Sequence, residues 1–159
     1  MRRPIKKRPT VEPDIKYGSE DVSRLINYIM LRGQKETARK IVYGAFDIIK
    51  AAKAEQGGGD PLEIFNTAIR NAGPQMEVRS RRVGGANYQV PREVRPERKL
   101  AIALRNIIAA ARGVKGKPII KALAEELMLA AKEEGAAVKK KEDMHKMAEA
   151  NRAFAHFAW

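Results

Sequence analysis

Apolar residues recur at helical spacing along most of this 159-residue chain, and that periodicity constrains its fold more than any other feature. Six segments show the pattern, at about residues 19–33, 35–55, 60–73, 96–111, 118–130 and 135–151. Between the third and fourth, the spacing changes to an alternation of every second residue, which is typical of β-strands. The sequence therefore predicts a mainly α protein with six helices in a single domain over residues 17–159. A two-stranded β-hairpin protrudes from it, and an extended basic arm precedes it over residues 1–16.

Several residues mark where the predicted helices begin. Asp60 is expected to cap the third helix, because Pro61 and Glu63 occupy positions that favour a helix start. Ser19 is expected to cap the first helix, and Pro118 is expected to open the fifth.

Two large side chains lie in the middle of apolar stripes. Phe46 in the second helix and Leu104 in the fourth are therefore expected to be buried. The sixth helix is expected to align five residues on one side: Val138, Met144, Met147, Ala148 and Asn151.

Charge limits the class of partner. Lys and Arg outnumber Asp and Glu by 32 to 19, which gives a net charge of +13 and predicts a polyanionic ligand. There is no Cys, so disulfides and thiolate metal sites are excluded. The apolar runs fall far short of the roughly 20 residues of a membrane helix. The N-terminus lacks a secretory core, and its prolines disfavour a transit peptide. We therefore expect a cytoplasmic protein with no membrane partner.

The arm over residues 1–16 combines cations with prolines that prevent a regular helix. With this net charge, the arm is expected to order on nucleic acid. A solvated, disordered terminus is the alternative.

The alternating segment at about residues 75–91 predicts the hairpin, with the double glycine at 84–85 as its turn. Tyr88 supplies apolar contact near the base, whereas the tip has too few apolar residues to pack. Arg81 and Arg82 are therefore expected to project from the body and to bind phosphate or stack on bases. A solvated hairpin with an ordinary charged surface is the alternative.

Further cations follow the hairpin and surround the loop after the fourth helix, at residues 112–118, where glycines allow close backbone approach. The complete set of predicted RNA-binding residues is Arg2, Arg3, Lys6, Lys7, Arg8, Lys35, Arg79, Arg81, Arg82, Arg92, Arg95, Arg112, Lys115, Lys117 and Lys121.

No segment predicts catalysis. His145 and His156 lack a metal-ligand spacing, and no phosphate-binding glycine loop of the GxxxxGK[ST] type is present. The acidic residues of the last two helices are expected to be solvated: Glu125, Glu126, Glu133 and Glu134. We therefore predict no enzyme, no cofactor and no small-molecule substrate.

Three stretches carry a resemblance to a known family. They are DIKYGSEDVSRLINYIMLRGQK at 14–35, DPLEIFNTAIRNAGPQMEVRSRRVGGANYQVPREV at 60–94 and KKKEDMHKMAEANRAFAH at 139–156. Their order and spacing resemble the bacterial form of small-subunit ribosomal protein seven, nearly from end to end. One departure is the ending His156-Phe157-Ala158-Trp159, where the compared tails often have Tyr-Arg-Trp after Ala-His.

The resemblance implies six helices and a protruding hairpin. It also implies direct binding to the three-prime major domain of small-subunit ribosomal RNA and nucleation of head assembly. The finished protein would lie near the exit site, close to messenger RNA and transfer RNA. Ribosomal proteins nine, eleven and thirteen would be its neighbours or assembly dependents.

Two alternatives belong to other classes. A DNA-binding architectural protein would also be basic, lack catalytic residues and extend Arg-bearing ribbons. An interaction scaffold without nucleic acid is disfavoured by the net charge.

Overall fold

The structure is a computed structural model that describes residues 10–54 and 60–157. The described residues form α1 (Glu20–Ile29), α2 (Lys35–Ala54), α3 (Pro61–Ala72), β1 (Met76–Val83), β2 (Ala86–Glu93), α4 (Pro96–Gly113), α5 (Ile119–Ala131), α6 (Ala136–Ala150) and a C-terminal 3-10 helix (Arg152–Phe157). The predicted mainly helical fold with one hairpin is confirmed. The 3-10 helix is an element that the sequence did not predict.

Helix α5 lies at the centre and packs against α2, α3, α4 and α6. Its Leu123 and Leu127 are buried, and alanines on the same helix allow its neighbours to approach closely. Phe46 and Leu104 have no exposed surface, as their positions in the apolar stripes predicted. Within the described ranges, no helix combines the length and apolarity that a membrane crossing requires.

Helix starts agree with the sequence signals at some positions and differ at others. The Asp60 carboxylate accepts a hydrogen bond from the Leu62 N–H at 3.0 Å, so the predicted cap of α3 is confirmed. Ser19 occupies the predicted capping position of α1, but its side chain makes no capping hydrogen bond. Pro118 is the residue before the first turn of α5, which begins at Ile119.

A buried carboxylate fixes the chain just before α1. Asp14 accepts hydrogen bonds from the backbone N–H groups of Lys16 and Tyr17, at 3.0 and 3.1 Å, and from the Tyr43 hydroxyl at 2.8 Å. Burial, together with the bond to Asp14, raises the pKa of Tyr43 to about 12. The last residues of the predicted arm are therefore not extended but form a turn held against α2, because Asp14 binds this turn and Tyr43 together.

The hairpin is longer than its alternation predicted, because β2 continues to Glu93 and includes Pro91. The strands are antiparallel, and Gly84 and Gly85 adopt φ angles of 57° and 91° at the predicted turn. Glu77 pairs with Arg92 in this register. The base of the hairpin packs against α6, and β2 packs against the 3-10 helix.

The predicted inward side of the sixth helix is only partly correct. Val138 and Ala148 are buried, but the Met147 side chain is 55% exposed. Ala137 is buried as well, because the start of α6 packs against α5. The Ala137 N–H donates a hydrogen bond to the carboxylate of Glu126 in α5 at 2.8 Å.

Glu126 is therefore buried, and the prediction that it is solvated was wrong. Gly135 makes this contact possible: its φ is +94°, and a Cβ there would lie 2.9 Å from the Glu126 carboxylate oxygen. A negative charge beside the first N–H groups of a helix is stabilising, which explains why a carboxylate is retained there.

Candidate nucleic-acid interface

Three arginines surround one buried carboxylate at the base of the hairpin. Glu77, only 3% exposed, accepts a hydrogen bond from Arg98 Nε at 2.6 Å and from Arg79 Nε at 3.1 Å. Arg92 Nε lies 3.9 Å from the same carboxylate. The side chains of the three arginines stay 35 to 47% exposed. We name Arg79, Arg92 and Arg98 around Glu77 the arginine cluster; it holds three guanidiniums at one surface of the protein.

The tip of the hairpin does not project freely, contrary to the prediction for Arg81. The Arg81 guanidinium is half-buried and donates a hydrogen bond to the Phe157 carbonyl oxygen. Tyr88, which was expected near the base, pairs with Arg81 toward the tip. Its ring lies 5.3 Å from the Phe154 ring and 5.0 Å from the Phe157 ring. The 3-10 helix supplies the apolar contact that the hairpin sequence lacks. Arg82, by contrast, is exposed as predicted.

Replacing Phe154 with alanine is expected to loosen the hairpin tip, because the change removes an aromatic partner of Tyr88. Amide hydrogen exchange at residues 81–88 should accelerate about twofold to tenfold, the effect of losing one aromatic pair. The helical core should keep its protection. Arg152→Ala, an exposed change in the same 3-10 helix, is the control; equal exchange in both variants would show that the rings do not hold the tip.

The loop between α4 and α5 presents its cations unequally. Arg112 donates to the Ile29 carbonyl oxygen at 2.9 Å, and so caps the end of α1. Lys117 forms an ion pair with Glu125 at 2.7 Å. Lys115 and Lys121 are exposed. Lys121 lies in the first turn of α5. Arg112 and Lys117 are exposed as well, but their charged groups are held by partners within the protein.

Near Arg112, a second guanidinium group lies against an exposed tyrosine ring. Arg105 lies 5.4 Å from the centre of the Tyr28 ring. The two side chains line a cleft of about 500 Å³ together with Arg112. A ring and planar cations at one cleft are suited to stacking on unpaired bases. The apolar stripe of α1 did not predict a role for Tyr28, which lies outside that stripe and is exposed.

Two further predicted cations lie where helices begin. Lys35 is exposed at the start of α2, where a cleft of about 310 Å³ also contains Thr10 and Asn27. Arg95 is exposed at the residue before α4. The predicted arm cations Arg2, Arg3, Lys6, Lys7 and Arg8 lie outside the described residues.

A family model described as ribosomal protein S7p/S5e matches residues 1–152. The chain belongs to this family. The resemblance drawn from the sequence is thereby confirmed, and the family assignment makes the chain a ribosomal protein and not an enzyme. Family membership therefore favours a ribosomal protein over the alternative of a DNA-binding architectural protein.

Curated members of the S7p/S5e family match over nearly their whole length, each named small ribosomal subunit protein uS7. The protein from Thermotoga neapolitana is 54% identical over 159 residues, which covers all of both chains. That from Streptococcus suis is 58% identical over 149 residues, covering 94% of this chain and 93% of its own. That from Thermoanaerobacter pseudethanolicus is 55% identical over 152 residues, covering 96% and 95%.

The sequence alone did not single out two members of the arginine cluster of this S7p/S5e protein. Arg98 was not among the predicted RNA-binding residues, and Glu77 was assigned no role. The available signal is the spacing: Glu77 and Arg79 are two apart on one strand, where side chains share a face. The contact of Arg98 with Glu77 depends on the direction in which α4 continues from the hairpin. No local sequence pattern indicates that direction.

His145 joins the hairpin to α6 in this S7p/S5e protein, a role that the absence of a metal spacing did not suggest. Its Nε2 accepts a hydrogen bond from the Gln75 N–H at 2.9 Å. Burial, reinforced by the positive charges of Lys141 and Lys99, lowers the pKa of His145 below its ordinary value of 6.5. Within the described ranges, no three His, Asp or Glu side chains come together as a metal site requires.

Acidification is expected to weaken folding through His145. Because its pKa is lowered in the folded state, the unfolded chain takes up the proton first as the pH falls through 6.5. The contribution of His145 to stability is thus complete above that pH and declines below it. Unfolding by denaturant between about pH 7.5 and 5.5 should show a steeper loss for the wild type than for His145→Gln. Parallel pH curves would contradict this role.

Proposed function

We propose that this chain is a structural constituent of the small ribosomal subunit that binds the three-prime major domain of its ribosomal RNA directly. In this proposal it nucleates assembly of the subunit head. It lies at the exit site, near messenger RNA and exit-site transfer RNA. Family membership supports the ribosomal role, and the resemblance drawn from the sequence is the basis for the domain and the site.

The arginine cluster is the observation that best supports RNA binding. Three partly exposed guanidiniums lie together at the hairpin base, and the one acidic residue among them is buried. Guanidinium groups match phosphate oxygens in pairs, so such a surface favours a nucleic-acid backbone.

The charge of the surrounding segment extends this surface. Residues 76–99 contain seven cations and three acidic residues. Of these acidic residues, Glu77 is turned inward, and Glu93 and Glu97 are exposed. Lys35, Lys115 and Lys121 add exposed cations on other elements, which suits a partner that wraps around several sides of the protein.

The protein partners in this proposal are the small-subunit ribosomal proteins nine, eleven and thirteen. Their identity rests on the family resemblance. A ribosomal component of this kind works in the cytoplasm, in agreement with the location expected from the sequence.

Competition binding tests the proposal. Purified protein is incubated with a labelled RNA fragment of the three-prime major domain, and three unlabelled competitors are compared: the same fragment, a fragment from another domain of the same RNA, and duplex DNA of equal length. We expect the matching fragment to compete best, and the protein to co-sediment with small subunits after a salt wash. Equal competition by duplex DNA would refute specific ribosomal RNA binding.

A further inference from the structure

We infer that Glu77 is a positioning residue that holds Arg79, Arg92 and Arg98 as one phosphate-binding unit. This inference rests on the proposed RNA binding and adds to it the residue that organises the contact. An acidic residue would then promote binding to a polyanion, which is the opposite of its effect through charge alone.

The burial of Glu77 shows that its charge is compensated within the protein. The residue is 3% exposed, and an unpaired carboxylate at such a position is costly. Its compensation comes from three elements: Arg79 on β1, Arg92 on β2 and Arg98 on α4. The carboxylate therefore ties both strands of the hairpin to the start of α4.

The geometry of these contacts leaves the outer parts of the guanidiniums unused by Glu77. Both hydrogen bonds are donated by Nε, from Arg79 at 3.1 Å and from Arg98 at 2.6 Å. A contact through Nε orients the guanidinium plane but does not occupy its terminal nitrogens. Those nitrogens are the pair that binds a phosphate in a fork.

Glu77 also reduces the repulsion among the three cations. Three unscreened guanidiniums at one surface would spread apart, and each long side chain would sample many rotamers. Binding phosphate would then require ordering them first, at a cost in affinity. With Glu77 in place, that ordering is already present in the free protein.

Glu77→Gln separates positioning from charge, because the two accounts predict opposite signs. The substitution nearly preserves shape but removes one negative charge, so a charge-only account predicts tighter binding to RNA. Positioning predicts weaker binding to the three-prime major domain fragment, by about tenfold, the order expected when one or two arginines must be ordered on binding. Glu93→Gln is the matched control: it makes the same charge change at an exposed position in β2. It should bind at least as tightly as the wild type.

Arg98→Lys tests the same idea without touching the buried carboxylate. It keeps the charge but removes the planar fork that Glu77 orients, and Arg70→Lys makes the same change at an exposed position of α3 outside the predicted RNA-binding set. We expect weaker RNA binding for Arg98→Lys alone. If Glu77→Gln fails to fold by circular dichroism, this pair decides, and equal affinities overturn the inference.

The outcomes distinguish the two proposals. A wild-type protein that does not bind the RNA fragment refutes the proposed function and the inference together. A wild type that binds, with Glu77→Gln binding as tightly as Glu93→Gln, overturns only the positioning role of Glu77.

Discussion

Replacing Phe46 with alanine is expected to lower the free energy of unfolding by about 3 to 5 kcal/mol. The side chain has no exposed surface. Its ring lies 5.0 Å from that of Tyr17, edge to face, and 5.5 Å from that of Phe65. Truncation therefore leaves a cavity where α2 meets α3 and removes the support of the turn before α1.

Chemical denaturation measures this effect. Ile15→Ala is the control, because Ile15 is 86% exposed and lies two residues from Tyr17. Its free energy of unfolding should change by no more than about 0.5 kcal/mol. Equal denaturation midpoints for the two variants would show that Phe46 is not a core residue.

Deleting residues 1–9 is expected to have the largest effect on RNA affinity. The deletion removes five predicted phosphate contacts: Arg2, Arg3, Lys6, Lys7 and Arg8. The slope of log affinity against log salt should flatten by up to about 4 units, since each neutralised phosphate contributes about 0.7 to 0.9. Raising the salt from about 50 to 200 mM should therefore weaken RNA binding roughly a hundredfold less in the deletion variant than in the wild type. The unfolding transition should stay close to that of the wild type, because Asp14 and the turn it holds are retained.

A variant of equal charge separates position from net charge. Five exposed lysines outside the predicted RNA-binding set are replaced by glutamine: Lys50, Lys132, Lys139, Lys140 and Lys146. This variant loses the same number of cations as the deletion but should retain most of the wild-type slope. If both proteins lose the same slope, the arm acts only through overall charge and makes no phosphate contacts of its own.

The sequence predicted the helices because the signals that specify a helix lie within that helix or next to it. An apolar stripe, the Asp60 cap and the glycine pair at 84–85 each act within a few residues. Phe46 and Leu104 were placed correctly for the same reason, since the middle of a stripe faces the core in any packing of the helices.

Charged residues with distant partners could not be predicted in this way. Glu126 was expected in solvent because carboxylates are rarely buried, yet it binds the start of the next helix. Glu77 is buried because Arg98, 21 residues later in the chain, donates a hydrogen bond to its carboxylate. In both cases the partner is decided by how elements pack, and periodicity carries no record of that packing.

The docked hairpin tip is the clearest example. Arg81 was expected to project because its strands lack apolar residues toward the turn. Its partner, Phe157, lies 76 residues later in the chain. The aromatic residues near the C-terminus had no stripe of their own, so the sequence did not indicate that they would cover Tyr88.

The attachments of the hairpin also determine when it is completed during synthesis. Gln75 bonds to His145, 70 residues later, and Arg81 bonds to Phe157, 76 residues later. A chain emerging from the ribosome folds from its N-terminal part first, and contacts across such separations form late. Helices α1 to α5 can pack while the hairpin still lacks both partners. A nascent chain stopped before α6 should therefore have a helical core and an arginine cluster, since the cluster lies within residues 77–98, but a hairpin tip that still lacks its C-terminal partner.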